Sequence, residues 1–278
     1  MPNDDVISFS FGQNWEHYLR QSLSEERLRI AQERTSDLLR LDSLNGLTFL
    51  DIGCGSGIFS FVAQRMGAVR VTSVDIDPKS VRCCVYMKNR AGDPDSWEIK
   101  QGSILDDNFL AALPQCDIVY SWGVLHHTGD MWKAIRNAAS LVKPGGRFAL
   151  AIYNKLEYST FKHWRGSHRW LRIKRTYNRS SALTKRAMEI AAASKDVLAM
   201  LLRSRSPISE IRAYRHKRGM SWWHDIVDWL GGYPYEFASA GEVFTFCHDE
   251  LCMQLERLNT TSSIGCHEFL FIKPPEQR

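Results

Sequence analysis

The sequence has no apolar run of about 18 residues, the length a helix needs to cross a bilayer, so no membrane span is expected. Its opening residues, MPNDDVISFSFG, are acidic and polar and lack the basic, then apolar, order of a secretory signal. Cysteine is sparse and unpaired. Cys54, Cys83, Cys84, Cys116, Cys247, Cys252 and Cys266 are odd in number and nowhere adopt a C-x-x-C spacing, which argues against a disulfide framework and a zinc site. Most of them read as buried thiols in a reducing compartment, and the expectation is a cytoplasmic chain with no bound metal. There is no internal repeat. There is also no Gly-x-Gly-x-x-Gly run, so the fingerprint of nicotinamide-dependent hydride transfer is missing.

What is present is unevenly spread. The 278 residues suit one α/β domain with an elaboration and are enough to bury a substantial core. The net charge of +5 conceals a split: Lys155–Arg218 holds 17 Lys and Arg against 4 Asp and Glu, and the remainder holds 19 against 27. An acidic body therefore carries one basic segment.

Residues 1–46 read as an N-terminal helical lid, with Ser22 and Glu25 in capping-box spacing and Leu28, Ala31, Leu38 and Leu39 along a helical stripe. Residues 47–152 alternate strand and helix. Strands are expected over Leu47–Ile52, Val71–Asp75, Trp97–Gln101, Cys116–Ser121 and Arg147–Tyr153. Helices are expected over Gly57–Met66, from Pro78, and over Met131–Val142, the last ended by the breaker run Lys143-Pro144-Gly145-Gly146. This rhythm predicts an α/β fold with a doubly wound, mostly parallel sheet. Residues 153–236 break it with a basic, aromatic and helical segment, including a helix over Ala182–Leu202 and a shorter one from Ser221 to Gly231 and Gly232. Residues 237–278 return to the core with a helix over Glu242–Leu251 and two antiparallel closing strands, Met253–Asn259 and His267–Ile272, for seven strands in all. The final KPPEQR reads as disordered.

The most informative run is FLDIGCGSG. An apolar strand enters three glycines at alternate positions, Gly53, Gly55 and Gly57, and Asp51 stands two residues before the first. Glycine lets the backbone turn sharply and lie close to a ligand, and the helix that follows presents its amides there. The spacing with its upstream acid resembles the first motif of the class I S-adenosylmethionine-dependent methyltransferases. A glycine-rich turn in any α/β domain is the plain alternative. Asp75 ends the second strand, 24 residues after Asp51, where an acid can accept both hydroxyls of a ribose; a solvated acid beside the helix cap Asp77 is the alternative.

The resemblance implies S-adenosylmethionine as cofactor, S-adenosylhomocysteine as product, and a Rossmann-like seven-stranded sheet with a helical cap after strand five. The cofactor would lie across Asp51, Gly53, Cys54, Gly55 and Gly57, with Asp75 on the ribose and Ile76 against the adenine. Many relatives carry an Asp where this chain has Ser103; Ser103 or the amide of Ile104 is the candidate for the adenine contact, while Asp106 and Asp107 read equally as loop acids. Ser121 and Trp122 would line the methionine part. The Leu-His-His run that follows has been linked to the active site in related natural-product enzymes, so His126 or His127 is the candidate base. The N-P-P-Y-type run of amino-directed nucleic-acid methyltransferases is absent. The likeness is to the branch that methylates quinone precursors and other small molecules.

For the substrate, the candidates are Tyr153 and Asn154 at the end of strand five, Trp15 in the segment FGQNW, and His224, Asp228 and Trp229 in the cap. FGQNW could be a lid or a docked surface helix. His224 and Asp228, four residues apart, could hold a substrate group or each other. Arg mixed with Trp in FKHWRGSHRWLRIKR fits an anionic small molecule, a phosphate backbone or an anionic membrane surface. The expected partner is a small molecule. The alternatives are RNA or protein gripped by the basic cap, peripheral contact with a membrane, or a non-catalytic module of the same fold.

Overall fold

A strand covered on both faces reads as a near-continuous apolar run, and the segment before the glycines is one, broken inside the sheet by Asp51. In the computed structural model, which describes residues 12, 15, 19, 23–156, 166–218, 222–263 and 265–275, and the backbone alone of 215–218 and 224, this run is β1 (Thr48–Ile52). Phe49 points to one side of the sheet and Leu50 and Ile52 to the other, all buried. With β2 (Arg70–Asp75), β3 (Trp97–Gln101), β4 (Cys116–Trp122), β5 (Val142–Tyr153), β6 (Gln254–Asn259) and β7 (Cys266–Ile272), it forms one seven-stranded sheet in the order β3-β2-β1-β4-β5-β7-β6. The first five strands pair in parallel, and β7 runs antiparallel to β5 and β6. The order reverses between β1 and β4, which places a crevice outside their carboxyl ends.

Two helical layers cover the sheet. Helices Glu25–Leu39, Ile58–Arg65 and Pro78–Arg90 pack on the side of Phe49 and Tyr120; Met131–Ser140 and Ala240–Thr245 pack on the side of Leu50 and Phe148. Their starts follow from local chemistry. Asp77 accepts from the Lys79 amide ahead of Pro78, and Asp130 caps the helix from Met131. At the first helix the cap is Ser24, which accepts from the Arg27 amide, in place of the expected Ser22, which lies outside the described residues. A capping box does form at Ser239 and Glu242.

Three expectations change. The run Lys143–Gly146 is part of β5, because the helix before it stops at Ser140. Gly145 at φ +75° and Gly146, packed against the Asp117 carbonyl, make an irregularity in the pairing with β4, and the amide of Gly145 donates to Lys273 beyond β7. Lys273 is thereby fixed; residues 276–278 of the tail lie outside the described part. The helix expected over Glu242–Leu251 is Ala240–Thr245, widened into a π turn over Phe246–Glu250.

The segment after β5 folds into helices Ser167–Arg179, Ala182–Leu202, Pro207–Arg218 and Trp222–Gly231. They enclose a small core of Tyr177, Ala193, Ile226 and Leu230, flanked by Trp170, Trp222 and Trp223.

Under the crevice a buried chain of hydrogen bonds ties three strands and a helix. The Trp97 indole donates to Ser73 Oγ (2.8 Å), Ser73 to Ser60 (2.7 Å), and Ser60 to Asp51 Oδ2 (2.6 Å). Burial raises the Asp51 carboxyl from 3.8 to about 7, against the Ser60 bond that favours its ionised form. Between those values the folded chain keeps a proton that the unfolded chain has lost, so stability falls as pH rises across that window. Denaturant unfolding of wild type and Asp51→Asn from pH 4 to pH 7 should show a steeper fall in wild type than in the variant. Gly57, at φ +77°, lies so close to the Pro78 helix that a Cβ would stand 2.7 Å from Cys84 Cα. Gly57→Ala should destabilise by roughly 2 kcal/mol or more, through left-handed strain and overpacking together. Gly123→Ala, at φ +77° with open space around it, should show the strain alone; thermal melts of both separate the two.

Candidate active site

The glycine loop is folded back onto the end of β2. The amides of Gly53 and Cys54 both donate to the Val74 carbonyl (2.7 and 2.9 Å), and the Gly55 amide donates to Asp75 Oδ2 (2.9 Å). Gly53, Gly55 and Gly57 all have left-handed φ. Val124 packs on Gly53, and the Trp15 indole lies on Gly55, with Nε1 2.8 Å from where a Cβ would stand. Residues 12, 15 and 19 are helical, and the Gly12 amide donates to Asp77 Oδ2 (3.0 Å). Trp15 thus lies directly on the loop and Gly12 on the cap of the Pro78 helix; Phe11, which with Trp15 would dock the segment if it is a surface helix and not a lid, lies outside the described residues.

Asp75 has a second duty in accepting the Asp77 amide at Oδ1 (2.9 Å). Burial nevertheless raises its carboxyl above the usual range, so two further hydroxyl donors would be welcome there. Ile76 beside it is 64% exposed, an apolar side chain standing in the crevice without cover. These two features fit a ribose and the face of a base.

Asp51 does not open onto the crevice. It is buried beneath the loop and supports it through Ser60. The Cys54 side chain is also turned inward, where Cys84 and burial keep its thiol protonated, so this residue offers backbone only. Ser103 Oγ accepts the Leu105 amide (3.1 Å), and Ile104 is buried in the core with its carbonyl held by Asn137 (2.8 Å). Ser121 is buried and donates to the Ile52 carbonyl (3.0 Å), stitching the ends of β4 and β1 together. The Trp122 indole is drawn across β5 to Glu268 on β7 (2.8 Å) and leaves a partly exposed ring at the rim.

Beyond β4 a short 3₁₀ turn, Leu125–His127, carries the two histidines and assigns them different environments. His126 is fully buried. Its Nδ1 accepts the Tyr153 amide (3.3 Å), and its Nε2 has no hydrogen-bond partner among the described residues. Burial, with His127 and Lys174 nearby, holds it far below the usual histidine range. His127 is half-buried, and its Nδ1 is bonded to the Pro234 carbonyl (2.5 Å). A carbonyl can only accept, so Nδ1 carries the proton and Nε2 is the basic nitrogen. Burial lowers this ring to about 4, so it is neutral at neutral pH. Glu236 fixes the turn: its carboxylate accepts the Gly129 and Met131 amides (3.0 and 3.1 Å), and its own amide donates to the His126 carbonyl (2.9 Å).

Tyr153 sits among aromatic rings. Its ring lies 3.9 Å from His126, 5.3 Å from His127, 5.3 Å from Tyr235 and 6.0 Å from Trp229. Asn154 is a correction. It is buried, its amide nitrogen donates to the Thr261 and Ser263 carbonyls, and its oxygen faces His267 Nε2, so it ties β5 to the β6–β7 hairpin and has no face toward the site. Asp228 and Trp229 lie on the last cap helix, half-buried; the side chain of His224 is outside the described residues.

Two residues of this cluster escape a reading of motifs. Tyr235 is buried against Tyr153 and Phe237. Lys174 is 1% exposed, with its ammonium 4.4 Å from the Trp229 ring and 5.0 Å from Tyr235. A signal for it exists: Trp170, Lys174 and Tyr177 follow one another at i, i+4 and i+7, which puts a lysine on the inward stripe of its helix. Among the described residues no group of three or more His, Cys, Asp or Glu could hold a metal, and no helix is long and apolar enough to cross a membrane.

Comparison with known proteins agrees with this geometry. The chain is 35% identical over 119 residues to a ubiquinone biosynthesis O-methyltransferase of a Methylobacterium species, an alignment covering 43% of this chain and 46% of that one. It is 30% identical over 152 residues to the 27-O-demethylrifamycin SV methyltransferase of Amycolatopsis mediterranei, 54% of each. The chain spans about half the length of the curated relatives it matches. Its fold is shared with the magnesium protoporphyrin IX methyltransferase of Synechocystis, solved with bound S-adenosylhomocysteine, at a TM-score of 0.52 and 15% identity over 94% of this chain and 93% of that one. Residues 15–190 match the family described as methyltransferase domain. That match takes in both sides of the crevice and reaches into the cap, and the chain belongs to the methyltransferase domain family.

Proposed function

We propose that the protein transfers a methyl group from S-adenosylmethionine to a nucleophilic oxygen, nitrogen or carbon of a small molecule held beneath the helical cap. The names of the relatives, a ubiquinone-pathway and a rifamycin O-methyltransferase, favour oxygen. The observation that carries the reading is the placement of a neutral histidine, His127, with its tautomer set by Pro234, on the loop that leaves β4 beside the glycine turn.

The residues present fit the cofactor. Asp75 would take the ribose hydroxyls, Ile76 would cover the base, and the loop of Gly53, Gly55 and Gly57 leaves the backbone open to close approach. When bound, S-adenosylmethionine supplies a methyl group already activated by its sulfonium. The chain has then to orient the acceptor and take up a proton. His127 Nε2, unprotonated at neutral pH, would take the proton only in passing as the methyl group moves, because burial leaves the ring too weak a base to hold it, and the hydrogen bond from Nδ1 to Pro234 would offset part of that cost. His126 packs behind Tyr153 and holds the aromatic wall. Trp15 and Trp229 would close the site from the N-terminal and cap sides.

The test uses methyl-labelled S-adenosylmethionine with pure protein and an extract of the native cells. Label should appear in a low-mass fraction. Label removed by nuclease or protease would overturn the small-molecule reading. His127→Asn should lower kcat by roughly 10²- to 10⁴-fold with S-adenosylhomocysteine affinity retained. Asp75→Ala should weaken S-adenosylhomocysteine by roughly tenfold to a hundredfold in calorimetry, from the loss of hydrogen bonds to a charged acceptor.

A second observation favours a lipid surface as the place of action. On the helix Ala182–Leu202, Leu183, Ile190, Leu198, Leu201 and Leu202 form an exposed stripe, with Ile208 beyond it and Arg203 and Arg205 at its end. Apolar side chains bordered by arginine suit the headgroup boundary of an anionic bilayer. Flotation with vesicles rich in phosphatidylglycerol should carry the protein up. Glutamine at Leu198, Leu201 and Leu202 should abolish this, and added salt should weaken it.

A further inference from the structure

Lys174 presents an electrostatic problem that the fold alone does not solve. The side chain is 1% exposed, midway along the cap helix Ser167–Arg179. Its ammonium donates to the backbone carbonyl of Trp229 and lies against the rings of Trp229 and Tyr235. Those partners are neutral. Among the described residues no carboxylate lies within ion-pairing distance; Asp228 acts on it only through its field. A buried charge without a counter-charge is strongly unfavourable, and an apolar side chain of similar length would pack there without that penalty. The ammonium also lies close enough to His126 and His127 to disfavour a positive charge on either. Its surroundings are therefore two histidines that reject a further positive charge, the more distant field of Asp228, and a ring wall formed by Tyr153, Trp229 and Tyr235.

We propose that Lys174 is a substrate-binding residue that receives an ionised oxygen, a carboxylate or a phenolate, of the methyl acceptor. The inference rests on the methyltransferase reading above and adds to it the charge of the acceptor. Before the acceptor arrives, burial lowers the ammonium to about 7, so the site exists with and without its proton. An arriving anion restores the proton and completes an ion pair in a water-poor setting. Selection follows: an ester or amide of the same acid brings no charge and leaves the lysine unmatched.

The probe is benzoate, with benzamide as its neutral counterpart, titrated calorimetrically into the full-length protein with and without S-adenosylhomocysteine. Benzoate should bind roughly tenfold to a hundredfold more tightly than benzamide, the range expected for a hydrogen bond to a charged group. Lys174→Met should erase the difference while leaving S-adenosylhomocysteine affinity unchanged. Removal of an unmatched buried charge should not impair folding. As a measurement free of any variant, the Lys174 ammonium in isotopically labelled wild type should lose its proton at higher pH when benzoate is present. Equal binding of the two probes, no benzoate binding, or a Lys174 titration indifferent to benzoate would each overturn the proposal. Failure of S-adenosylhomocysteine to bind while the benzoate preference persists would instead overturn the cofactor reading and leave the anion site standing.

Discussion

Everything at the crevice hangs from the way the glycine loop is drawn down onto the end of β2. Two consecutive amides, Gly53 and Cys54, share the Val74 carbonyl, and the next amide, that of Gly55, reaches the Asp75 carboxylate. That geometry needs left-handed backbone at alternate positions, where a side chain is strained. It also needs an acid at the last position of the neighbouring strand. The parallel register of β1 on β2 delivers the acid, since Ile52 lies opposite Val74 and Asp75 is the residue after it. Asp75 is accordingly a structural brace as well as the proposed ribose ligand.

The two halves of the site are built by different means. The cofactor side is local: strand ends and the loops that leave them, held by backbone hydrogen bonds within the sheet. The proposed acceptor side is assembled from distant parts of the chain. The Leu125–His127 turn is pinned by Pro234 and Glu236, more than a hundred residues later. Tyr153 meets Trp229 and Tyr235 across the whole length of the cap. In the proposed function, a site made in this way would keep its cofactor machinery while the cap could differ in the acceptor that it selects. The alignments with relatives cover about half of the chain, whereas the fold is shared along nearly all of it.

Much of the fold was legible because strand and helix periods are local properties. Trp97–Gln101 and Ala182–Leu202 lie where their patterns put them, and the reversal of β7 against β5 follows from two closing strands joined by a short loop. Lys143–Gly146 misled because proline and glycine speak only of what the backbone resists. Residues paired with β4 on either side of it, Val142 and Arg147, and backbone hydrogen bonds to Lys273 made a strand of it all the same. Ser121 and Asn154 read as open polar groups at strand ends. In the fold each has its hydrogen bonds taken by backbone carbonyls, and Asn154 also by His267.

The sequence by itself determined the glycine turn, the acid that braces it, the alternation that stacks a parallel sheet between helices, and the excess of positive charge after strand five. Each of these depends on residues within a few positions of one another or on simple counting. The tertiary structure alone decided which histidine keeps a basic nitrogen at the half-open position, and which is sealed behind Tyr153. It alone buried one lysine among many with no carboxylate paired to it among the described residues. These outcomes depend on burial and on partners 27 to 107 positions away, such as Tyr153 for His126, Trp229 for Lys174 and Pro234 for His127. Desolvation is a property of the packed surroundings, and no local pattern carries it.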